Sequence, residues 1–358
     1  MNIGFDAKRF FHNQTGLGNY SRDLVNAVAT FFPEHHYLLF DKKGGHELHS
    51  PLELVLPSSG KNPFLWRAKQ ILNEKAFHKL DVYHGLSNEL PFGNYPSHVN
   101  KIVTIHDVIF KSHPQNYSFI DSSIYHIKTK HAATIADTVI ATSKFTAQQI
   151  QLYYPIEPSK IKVVYQACNE IFIQAVTSSR VQAFKEKYKL DNPFFLYVSS
   201  FNQRKNHLFL LKTFKKYPNP NHHLVLAGSL GDSFEAVNKL IADLDLSKRV
   251  TILPNVEQHE LTVLYHAASW FVYPSIQEGF GIPLLEAMTC HLPILASNIP
   301  VFKEIASNEV LFYDLQKEEE LLNQLITLSE IDKIDYSSHI QQYSKESIAK
   351  QLMTIYQG

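Results

Sequence analysis

Short apolar runs alternate with amphipathic helical stretches along this chain of 358 residues, in two successive series. Parallel strands need long connections between them, usually helices, so this alternation is typical of parallel sheets covered by helices. Two domains of ordinary size also fit the length of the chain. The sequence therefore predicts an α/β fold with two doubly wound domains, whose strand ends would face a cleft where ligands bind.

The first series contains six predicted strands, at residues 3–6, 37–40, 82–83, 101–105, 138–141 and 162–165. Its predicted helices lie at residues 19–31, 66–79, 123–136 and 143–153. The second series contains five predicted strands, at residues 194–199, 222–227, 250–253, 270–273 and 293–296. Its predicted helices lie at residues 179–190, 208–214, 234–244, 260–268 and 283–290. The predicted domains are residues 1–175 and 176–337, followed by a C-terminal helical segment at 338–358.

The composition argues against several classes of protein. Hydrophobic residues make up 44% and charged residues 19% of the chain, as in a well-cored globular protein. The formal net charge is zero, which argues against nucleic acid as a bulk electrostatic partner. Cys168 and Cys290 match no metal or redox spacing. No signal peptide or membrane-spanning run is visible, so we expect a cytoplasmic protein.

The most distinctive motif follows the predicted strand at 270–273. Glu278 and Glu286 bracket a glycine loop and the start of a helix, where Pro283 suits the first turn. The backbone amides of the loop residues Phe280, Gly281 and Ile282 would lie at the helix N-terminus, which favours an anionic group. One carboxylate on each side of a bound phosphate could hold hydroxyl groups. This arrangement suits a ligand made of a sugar, a diphosphate and a ribose.

The residues Glu278-Gly-Phe-Gly-Ile-Pro-Leu-Leu-Glu286-Ala-Met resemble the E-x7-E signature of the retaining nucleotide-sugar glycosyltransferases with the GT-B fold (glycosyl transferases group 1). The resemblance covers nearly the whole chain and is strongest over residues 194–304. It implies two Rossmann-like domains facing across a cleft and a C-terminal helix that crosses back to the first domain. It also implies that Glu278 holds hydroxyl groups of the donor sugar and that Glu286 holds the ribose diol. A surface helix with two solvated glutamates would leave the glycines and the proline unexplained.

Arg204 and Lys205 lie just past the first predicted strand of the second domain. A departing nucleoside diphosphate needs fixed cations, and a guanidinium with an ammonium can supply them. Adjacent basic residues are usually surface decoration, but the R-K-N sequence resembles the family's diphosphate-binding pair. The family often carries a further arginine upstream, where this chain has Ser199 and Ser200.

His106 and Asp107 end the predicted strand at 101–105, in the sequence T-I-H-D. The resemblance implies that His106 contacts the donor sugar and that Asp107 positions the histidine or meets the acceptor. A lone histidine at a strand end can also be a satisfied loop residue.

Gly16 and Gly18 precede the first predicted helix. They resemble a family loop that moves against the donor phosphate and the acceptor. A plain pair of glycines at a helix start is the alternative, and a dinucleotide site is disfavoured because Ser21 occupies the position of its third glycine.

The family's base pocket corresponds to the turn at Asn255 and Val256, where backbone groups would pair with the base and Leu261 would pack against it. Gly228 would leave room for the diphosphate or ribose.

The sequence Asp243-Leu-Asp245 spells a D-x-D motif, but it lies at the end of an amphipathic helix. We therefore expect no metal and no other cofactor apart from the nucleotide-sugar co-substrate.

The predicted basic helix at 61–79 combines lysines and arginine with aromatic and aliphatic residues. Such a helix could lie on the inner membrane surface, or it could pack on the sheet as an ordinary amphipathic helix.

The sequence as a whole predicts a retaining, metal-independent glycosyltransferase that moves a hexose to a glycan or lipid-linked acceptor. The resemblance to bacterial mannosyltransferases makes GDP-mannose the first expectation for the donor. A sugar-nucleotide epimerase of the same fold, an NAD-dependent oxidoreductase and an inactive carbohydrate-binding relative are the alternatives.

Overall fold

A computed structural model describes residues 1–13, 15–45, 48–58 and 63–358. The chain divides into two compact units. Unit 1 comprises Met1–Ala167 together with Gln342–Gly358, and unit 2 comprises Cys168–Gln341. The first passage from unit 1 to unit 2 follows Ala167, eight residues before the end of the predicted first domain at 175.

Unit 1 is built on a sheet of seven strands in the order β3-β2-β1-β4-β5-β6-β7, and all neighbouring strands are parallel. Its strands are β1 (Asn2–Asp6), β2 (His36–Phe40), β3 (Leu52–Val55), β4 (Val82–Gly85), β5 (Asn100–Ile105), β6 (Thr138–Ala141) and β7 (Ile161–Val163). Its first helices are α1 (Lys8–His12), α2 (Gly16–Phe31), α3 (Pro63–Ala68), α4 (Ile109–Ser112), α5 (Phe119–Ile135) and α6 (Lys144–Tyr153). Short 3-10 helices cover Gln70–Asn73, Phe77–Lys79, Pro114–Asn116 and Pro158–Lys160.

Unit 2 is built on a second parallel sheet, of six strands in the order β10-β9-β8-β11-β12-β13. Its strands are β8 (Phe194–Val198), β9 (His223–Gly228), β10 (Val250–Pro254), β11 (Trp270–Tyr273), β12 (Ile294–Ser297) and β13 (Leu311–Tyr313). Its helices are α7 (Ser178–Tyr188), α8 (His207–Lys215), α9 (Phe234–Asp243), α10 (Gln258–Ala267), α11 (Ile282–Thr289), α12 (Pro300–Ile305), α13 (Glu318–Leu328) and α14 (Ser337–Ile340). Short 3-10 helices cover Glu170–Phe172, Gln203–Lys205 and Gln341–Tyr343, the last of which leads into unit 1.

The core explains why these sequences form parallel strands. All residues of β8 and β11 are buried, as expected for strands covered by helices on both faces. In unit 1, successive strand residues enter two different hydrophobic clusters. Ile102 belongs to one cluster and Val103 to the other, because side chains alternate across a strand.

The last helix, α15 (Lys345–Gln357), belongs to unit 1 and packs against α2. Its residues Ile348, Leu352 and Met353 are buried in the same cluster as residues of β1. The Tyr356 hydroxyl lies 2.7 Å from Nδ1 of the buried His84 in β4. This helix is therefore part of the first sheet's core, although about 175 residues separate it from the rest of the unit in sequence.

The predicted helix at 66–79 is wrong. The chain forms the short helix α3 and two 3-10 turns there, and Trp66, Ile71 and Phe77 are buried in the core of unit 1. These side chains are five and six residues apart, and this spacing does not place all three on one face of a single helix. Lys61, which begins the predicted basic helix, lies outside the described residues.

Several short elements were not predicted, namely the edge strands β3 and β13 and the helices α1, α4, α12 and α13. Both edge strands have partly exposed residues, so their apolar pattern is weaker than that of the central strands. Across the described parts of the chain, no helix combines the length and apolar character needed to cross a bilayer.

Candidate active site

The sheet order of unit 2 brings two predicted motifs to neighbouring strand ends. Strands β8 and β11 pair directly, whereas β9 and β10 lie on one side of them and β12 and β13 on the other. The strand order reverses between β8 and β11, and ligands of doubly wound sheets bind at such points. Arg204 and Lys205 follow β8, and the loop with Glu278 follows β11. Backbone bonding ties the loops together, since the Ile276 amide donates to the Arg204 carbonyl at 2.9 Å.

Glu278 is buried and contacts both predicted phosphate-binding cations. Arg204 Nη1 donates to Glu278 Oε2 at 2.9 Å and to the Gln277 carbonyl at 3.1 Å. Lys205 Nζ donates to Glu278 Oε1, and the Tyr273 hydroxyl donates to the same oxygen at 3.3 Å. We refer to Arg204, Lys205 and Glu278 as the ion cluster.

The electrostatics keep the ion cluster charged. Burial opposes ionisation of Glu278, but the positive charges of Lys205 and Arg204 outweigh it and lower the pKa of Glu278 to about 2. A buried ion pair needs further hydrogen bonds to be tolerated, and the contact from Tyr273 supplies one. The carboxylate and the two cations are therefore held in fixed positions by one another.

The side chains that surround the ion cluster were not predicted from the sequence. The Tyr197 hydroxyl donates to the Lys205 carbonyl at 2.7 Å and lies 3.3 Å from Ser275 Oγ. His207 is buried beside them, and burial together with the charge of Lys205 lowers its pKa to about 3. Tyr197 and Tyr273 each stand at or next to the end of a buried strand, a position that could have identified them.

Glu286 lies on α11, where it is buried and accepts a hydrogen bond of 2.7 Å from the Tyr265 hydroxyl. The helix begins at Ile282 with Pro283 in its first turn, as predicted. Gly281 precedes it with φ of 115°, and a Cβ there would lie 2.9 Å from the Phe302 ring. Both conditions require glycine, so the loop can enter the helix only with this residue. Phe280 is buried.

The other predicted nucleotide-binding residues follow β9 and β10. Gly228 ends β9 with φ of 146°, and a Cβ there would lie 2.0 Å from the Ser199 carbonyl oxygen. The Asn255 amide donates to the Gly228 carbonyl at 3.0 Å. Asn255 is exposed, whereas Val256 and Leu261 are half-buried. Close backbone packing thus explains Gly228 without a ligand, and the base-pocket role of the other three stays a prediction.

His106 and Asp107 lie in unit 1, immediately after β5. The buried His106 ring donates from Nε2 to the Leu86 carbonyl at 2.9 Å and meets the Tyr20 ring edge-on at 4.5 Å. Burial lowers the pKa of His106, so the imidazole is neutral and its Nδ1 carries a lone pair. A cavity of about 180 Å³ adjoins both residues.

Gly16 and Gly18 lie at the start of α2. A Cβ at Gly18 would lie 1.8 Å from the Asn13 carbonyl oxygen, whereas one at Gly16 would meet no atom within 4 Å. Helix α1 stands between β1 and these glycines, so they do not form the tight turn of a dinucleotide site. Local packing explains Gly18, and the donor-loop role of both residues stays a prediction.

The D-x-D sequence spans the end of a helix, since Asp243 is the last residue of α9. Asp245 follows in a left-handed conformation with φ of 53°. Within residues 1–13, 15–45, 48–58 and 63–358, no group of three or more His, Cys, Asp or Glu side chains is arranged to hold a metal ion.

Both units match known protein families. Residues 178–347 match the family described as Glycosyl transferases group 1, and residues 16–170 match Glycosyltransferase Family 4. The E-x7-E motif and the R-K-N sequence both lie inside the first of these matches. The two matches together cover most of the chain, and both families are glycosyltransferases.

Similar proteins include three named mannosyltransferases. O-antigen chain mannosyltransferase RfbU of Salmonella typhimurium is 30% identical over 60% of this chain and 56% of its own length. O-antigen chain mannosyltransferase B of Escherichia coli is 26% identical over 88% of this chain and 87% of its own length. Serotype-specific mannosyltransferase WbdA of Escherichia coli is 31% identical over 48% of this chain and 22% of its own length. The matched region thus spans little more than half of RfbU and a minor part of WbdA.

Solved structures share the fold over the whole chain. Sucrose-phosphate synthase from Thermosynechococcus elongatus superposes with a TM-score of 0.76 at 20% identity, covering 100% of this chain and 98% of that one. WaaG, a glycosyltransferase involved in lipopolysaccharide biosynthesis, has a TM-score of 0.72 at 17% identity, with full coverage of both chains. At these identities the comparison establishes the fold alone, which is GT-B with two parallel-sheet α/β domains.

Proposed function

We propose that this protein transfers a mannosyl group from GDP-mannose to a hydroxyl group of a glycan or lipid-linked acceptor, with retention of the anomeric configuration. The observation that carries the proposal is the ion cluster at the point where the strand order of unit 2 reverses. The relatives named as O-antigen mannosyltransferases support the sugar and a role in surface polysaccharide assembly.

The reaction needs positioning and charge stabilisation more than a nucleophile of the protein. The bond between the sugar's anomeric carbon and the diphosphate oxygen breaks, and the acceptor oxygen bonds to the same face of that carbon. The proton of the acceptor hydroxyl passes to the departing phosphate oxygen. Arg204 and Lys205 would balance the charge that develops on the diphosphate, together with the amides at the start of α11.

The carboxylates and the histidine would hold hydroxyl groups. Glu278 is kept ionised by its two cations, so it can accept hydrogen bonds from the donor sugar. Glu286 would accept from the ribose diol while Tyr265 fixes its second oxygen. His106 has its Nε2 proton directed at the Leu86 carbonyl, so its Nδ1 can accept from a sugar hydroxyl. Asp107 would position the acceptor.

The donor can be identified by its effect on stability, because a ligand that binds only the folded state raises the unfolding temperature. We expect GDP and GDP-mannose to raise the unfolding temperature more than the uridine and adenine equivalents do.

Changing Arg204 or Lys205 to alanine should weaken binding of GDP more than binding of guanosine, as measured by calorimetry. Equal losses for both ligands would place these residues away from the phosphates.

We also propose that transfer is independent of metal, because the cationic pair and the helix N-terminus can balance the diphosphate charge. Transfer from GDP-mannose should then continue in excess EDTA and give a product with the donor's anomeric configuration. Activity that is lost in EDTA and restored by manganese would contradict this part of the proposal.

Two other reactions are compatible with parts of the sequence. A sugar-nucleotide epimerase would release an altered free sugar without an acceptor, and an oxidoreductase would change the absorbance of a nicotinamide. The matches to named mannosyltransferases favour neither. Product analysis with and without acceptor distinguishes all three.

Peripheral contact with the inner membrane surface belongs to the same proposal, but through α5 and not through residues 61–79. On α5, the side chains of Phe119, Ile120, Ile124 and Ile127 are 88%, 69%, 44% and 58% exposed. Lys130 is exposed on the same helix, and partial burial with the charges of Lys111 and Lys130 lowers the pKa of His126. Exposed apolar side chains beside basic ones suit an anionic lipid surface.

Vesicle flotation tests this contact. We expect binding to vesicles with phosphatidylglycerol, weaker binding to phosphatidylcholine vesicles, and loss of binding in the double variant Ile120→Ser with Ile127→Ser. Leu152→Ser is the matched control, because Leu152 is 69% exposed on α6. Self-association of the chain that the double variant abolishes, without vesicle binding, would contradict the membrane contact.

A further inference from the structure

A second cavity in unit 1, of about 280 Å³, lies at the carboxyl ends of β1, β2 and β4. These three strands are neighbours in the sheet, so the residues after them converge on one place. The cavity is lined by four basic side chains and two carboxylates, namely Lys8, Lys42, Arg67, Lys128, Asp6 and Glu89. The lining therefore carries more positive charges than negative ones.

The two carboxylates are already bound by cations of the same cavity. Arg67 donates to both oxygens of the buried Asp6, with Nε–Oδ1 at 2.9 Å and Nη2–Oδ2 at 2.5 Å. Arg67 Nη1 also donates to Glu89 Oε2 at 2.6 Å, and Lys128 Nζ donates to Glu89 Oε1 at 3.1 Å. Burial opposes ionisation of Asp6, but Arg67 lowers its pKa, so the carboxylate stays charged and oriented.

Positive charges lie close to one another in the lining of the cavity. Lys8 begins α1, and partial burial together with the charge of Arg67 lowers its pKa. A lysine that burial and a nearby cation disfavour in its charged form is stabilised when an anion binds beside it. The cavity thus has the charge that an anionic ligand would balance.

The Tyr83 hydroxyl is a second and independent sign of a ligand. Tyr83 is a fully buried residue of β4 that lines the cavity. Among the described residues, its hydroxyl has no hydrogen-bond partner. Buried polar groups nearly always have partners, so an unsatisfied donor at a cavity wall points to a ligand oxygen. Burial raises the pKa of Tyr83 well above its ordinary value, so it stays a donor.

We propose that this cavity binds a phosphate group through Lys8, Lys42, Arg67 and the Tyr83 hydroxyl. The cavity shares Glu89 and Lys128 with the one beside His106 and Asp107, so a phosphate here would lie next to the residues expected to meet the sugars. The phosphate is therefore carried by the acceptor, a point that rests on the proposed function. The site itself does not depend on glycosyl transfer.

The test measures binding of inorganic phosphate, a hexose 1-phosphate and the uncharged hexose by calorimetry. Each titration is repeated with saturating GDP, which occupies the phosphate site expected in unit 2. We expect the hexose phosphate to bind with and without GDP, more tightly than inorganic phosphate, while the uncharged hexose binds least. Equal affinities for the two phosphates would refute the acceptor as the carrier.

Two substitutions probe the site and a third is the control. Lys8→Gln removes a charge, and Tyr83→Phe removes only a hydroxyl that has no partner among the described residues, so it should not lower the unfolding temperature. Each should weaken phosphate binding about tenfold. Lys43→Gln should leave it unchanged, because Lys43 is exposed and lies outside the cavity lining.

The proposal fails if the wild-type protein binds no phosphate, if GDP abolishes the binding, or if both variants bind like the wild type. Calorimetry measures binding and does not depend on glycosyl transfer. A protein that transfers the sugar but binds no phosphate would therefore refute this site and leave the proposed function standing. A protein that binds phosphate but transfers no sugar would refute the proposed function and leave this site standing.

Discussion

The ion cluster places a buried carboxylate between two cations, so its removal affects both the fold and the proposed reaction. In Glu278→Gln, the ammonium of the buried Lys205 would face a neutral amide. Breaking a buried ion pair in this way costs about 3–5 kcal/mol of unfolding free energy. We also expect turnover to fall by about 10²-fold or more, as for loss of a preorganised polar contact.

Urea unfolding and initial rates of transfer measure these two effects. Glu260→Gln is the matched control, since it removes a carboxylate that pairs with Lys187 on the surface. We expect little change in that variant, because exposed ion pairs contribute little. Normal turnover in a folded Glu278→Gln protein would refute the role of Glu278.

The same residue predicts a pH dependence. The pKa of Glu278 is about 2 in the fold and about 4.3 in an unfolded chain. A carboxylate whose pKa is lowered on folding stabilises the fold above the unfolded pKa, and this stabilisation is lost as the pH falls toward the folded pKa. The difference in unfolding free energy between the wild type and Glu278→Gln should therefore shrink from pH 5 to pH 3. A difference that is constant over this range would mean that the ion cluster does not form.

The two glycines of α2 form a natural pair for a test of steric necessity. Gly18→Ala would bring Cβ within 1.8 Å of the Asn13 carbonyl oxygen, so the backbone must move. Overpacking of this kind costs about 1–3 kcal/mol. Gly16→Ala has open space and should be neutral or slightly stabilising, because alanine favours helix.

Urea midpoints of both variants decide this prediction, and equal stabilities would contradict it. Turnover then separates the two interpretations of the loop. A stable Gly16→Ala protein with reduced turnover would support a donor-loop role for Gly16, whereas unchanged turnover would leave it as a helix start.

Among the elements, α15 is held to the sheet of unit 1 by a buried polar chain as well as by apolar packing. His84 joins the Tyr356 hydroxyl at 2.7 Å to Thr104 Oγ1 at 2.8 Å, and the Tyr20 hydroxyl lies 2.9 Å from the same oxygen. Burial lowers the pKa of His84 to about 3, so the ring is neutral near pH 7 and links the two hydroxyls. This row of hydrogen bonds ends at Tyr20, whose ring contacts His106.

Tyr356→Phe removes one link of this chain and leaves a buried ring nitrogen without its partner. We expect a loss of about 1–3 kcal/mol in unfolding free energy, measured by urea unfolding. Gln351→Ala, an exposed change on the same helix, should have little effect. Equal stabilities of the two variants would show that apolar packing alone holds α15.

Elements were predicted best where their apolar pattern was strong. The buried central strands β1, β5, β8 and β11 were found from sequence, whereas the partly exposed edge strands β3 and β13 were missed. The segment at 66–79 was wrong because its apolar side chains enter the core from several short turns. A count of basic and aromatic residues cannot show this, because it does not tell which side chains point toward the core.

For the whole molecule, the discontinuity of unit 1 predicts the effect of truncation. Removing residues 342–358 would take away Leu352 and Met353, which are buried, and would expose the apolar side chains of unit 1 that pack against α15. The chain has two tryptophans, Trp66 in unit 1 and Trp270 in unit 2. In protein labelled with 5-fluorotryptophan, we expect the NMR signal of Trp66 to shift toward that of unfolded protein and the signal of Trp270 to be retained.

The Trp270→Phe variant assigns the two signals. If both signals of the truncated protein kept their native positions, α15 would be dispensable for unit 1. If both moved to unfolded positions, the two units would unfold together.

The sequence by itself determined the α/β class, the order of most strands and helices, and the local chemistry of the E-x7-E loop. These follow from periodicity, from proline and glycine positions and from residue type, all of which act over a few neighbouring residues. The positions of Glu278, Arg204 and Lys205 at strand ends were predicted in this way.

Only the tertiary structure decided which of these groups touch. Lys205 and Glu278 are 73 residues apart and meet because β8 and β11 are neighbours in the sheet. Asp6 and Arg67 are 61 residues apart and meet because α3 packs beside the end of β1, where both line the cavity proposed to bind phosphate. Strand order depends on how helices and loops pack over the whole domain, so no local pattern encodes it.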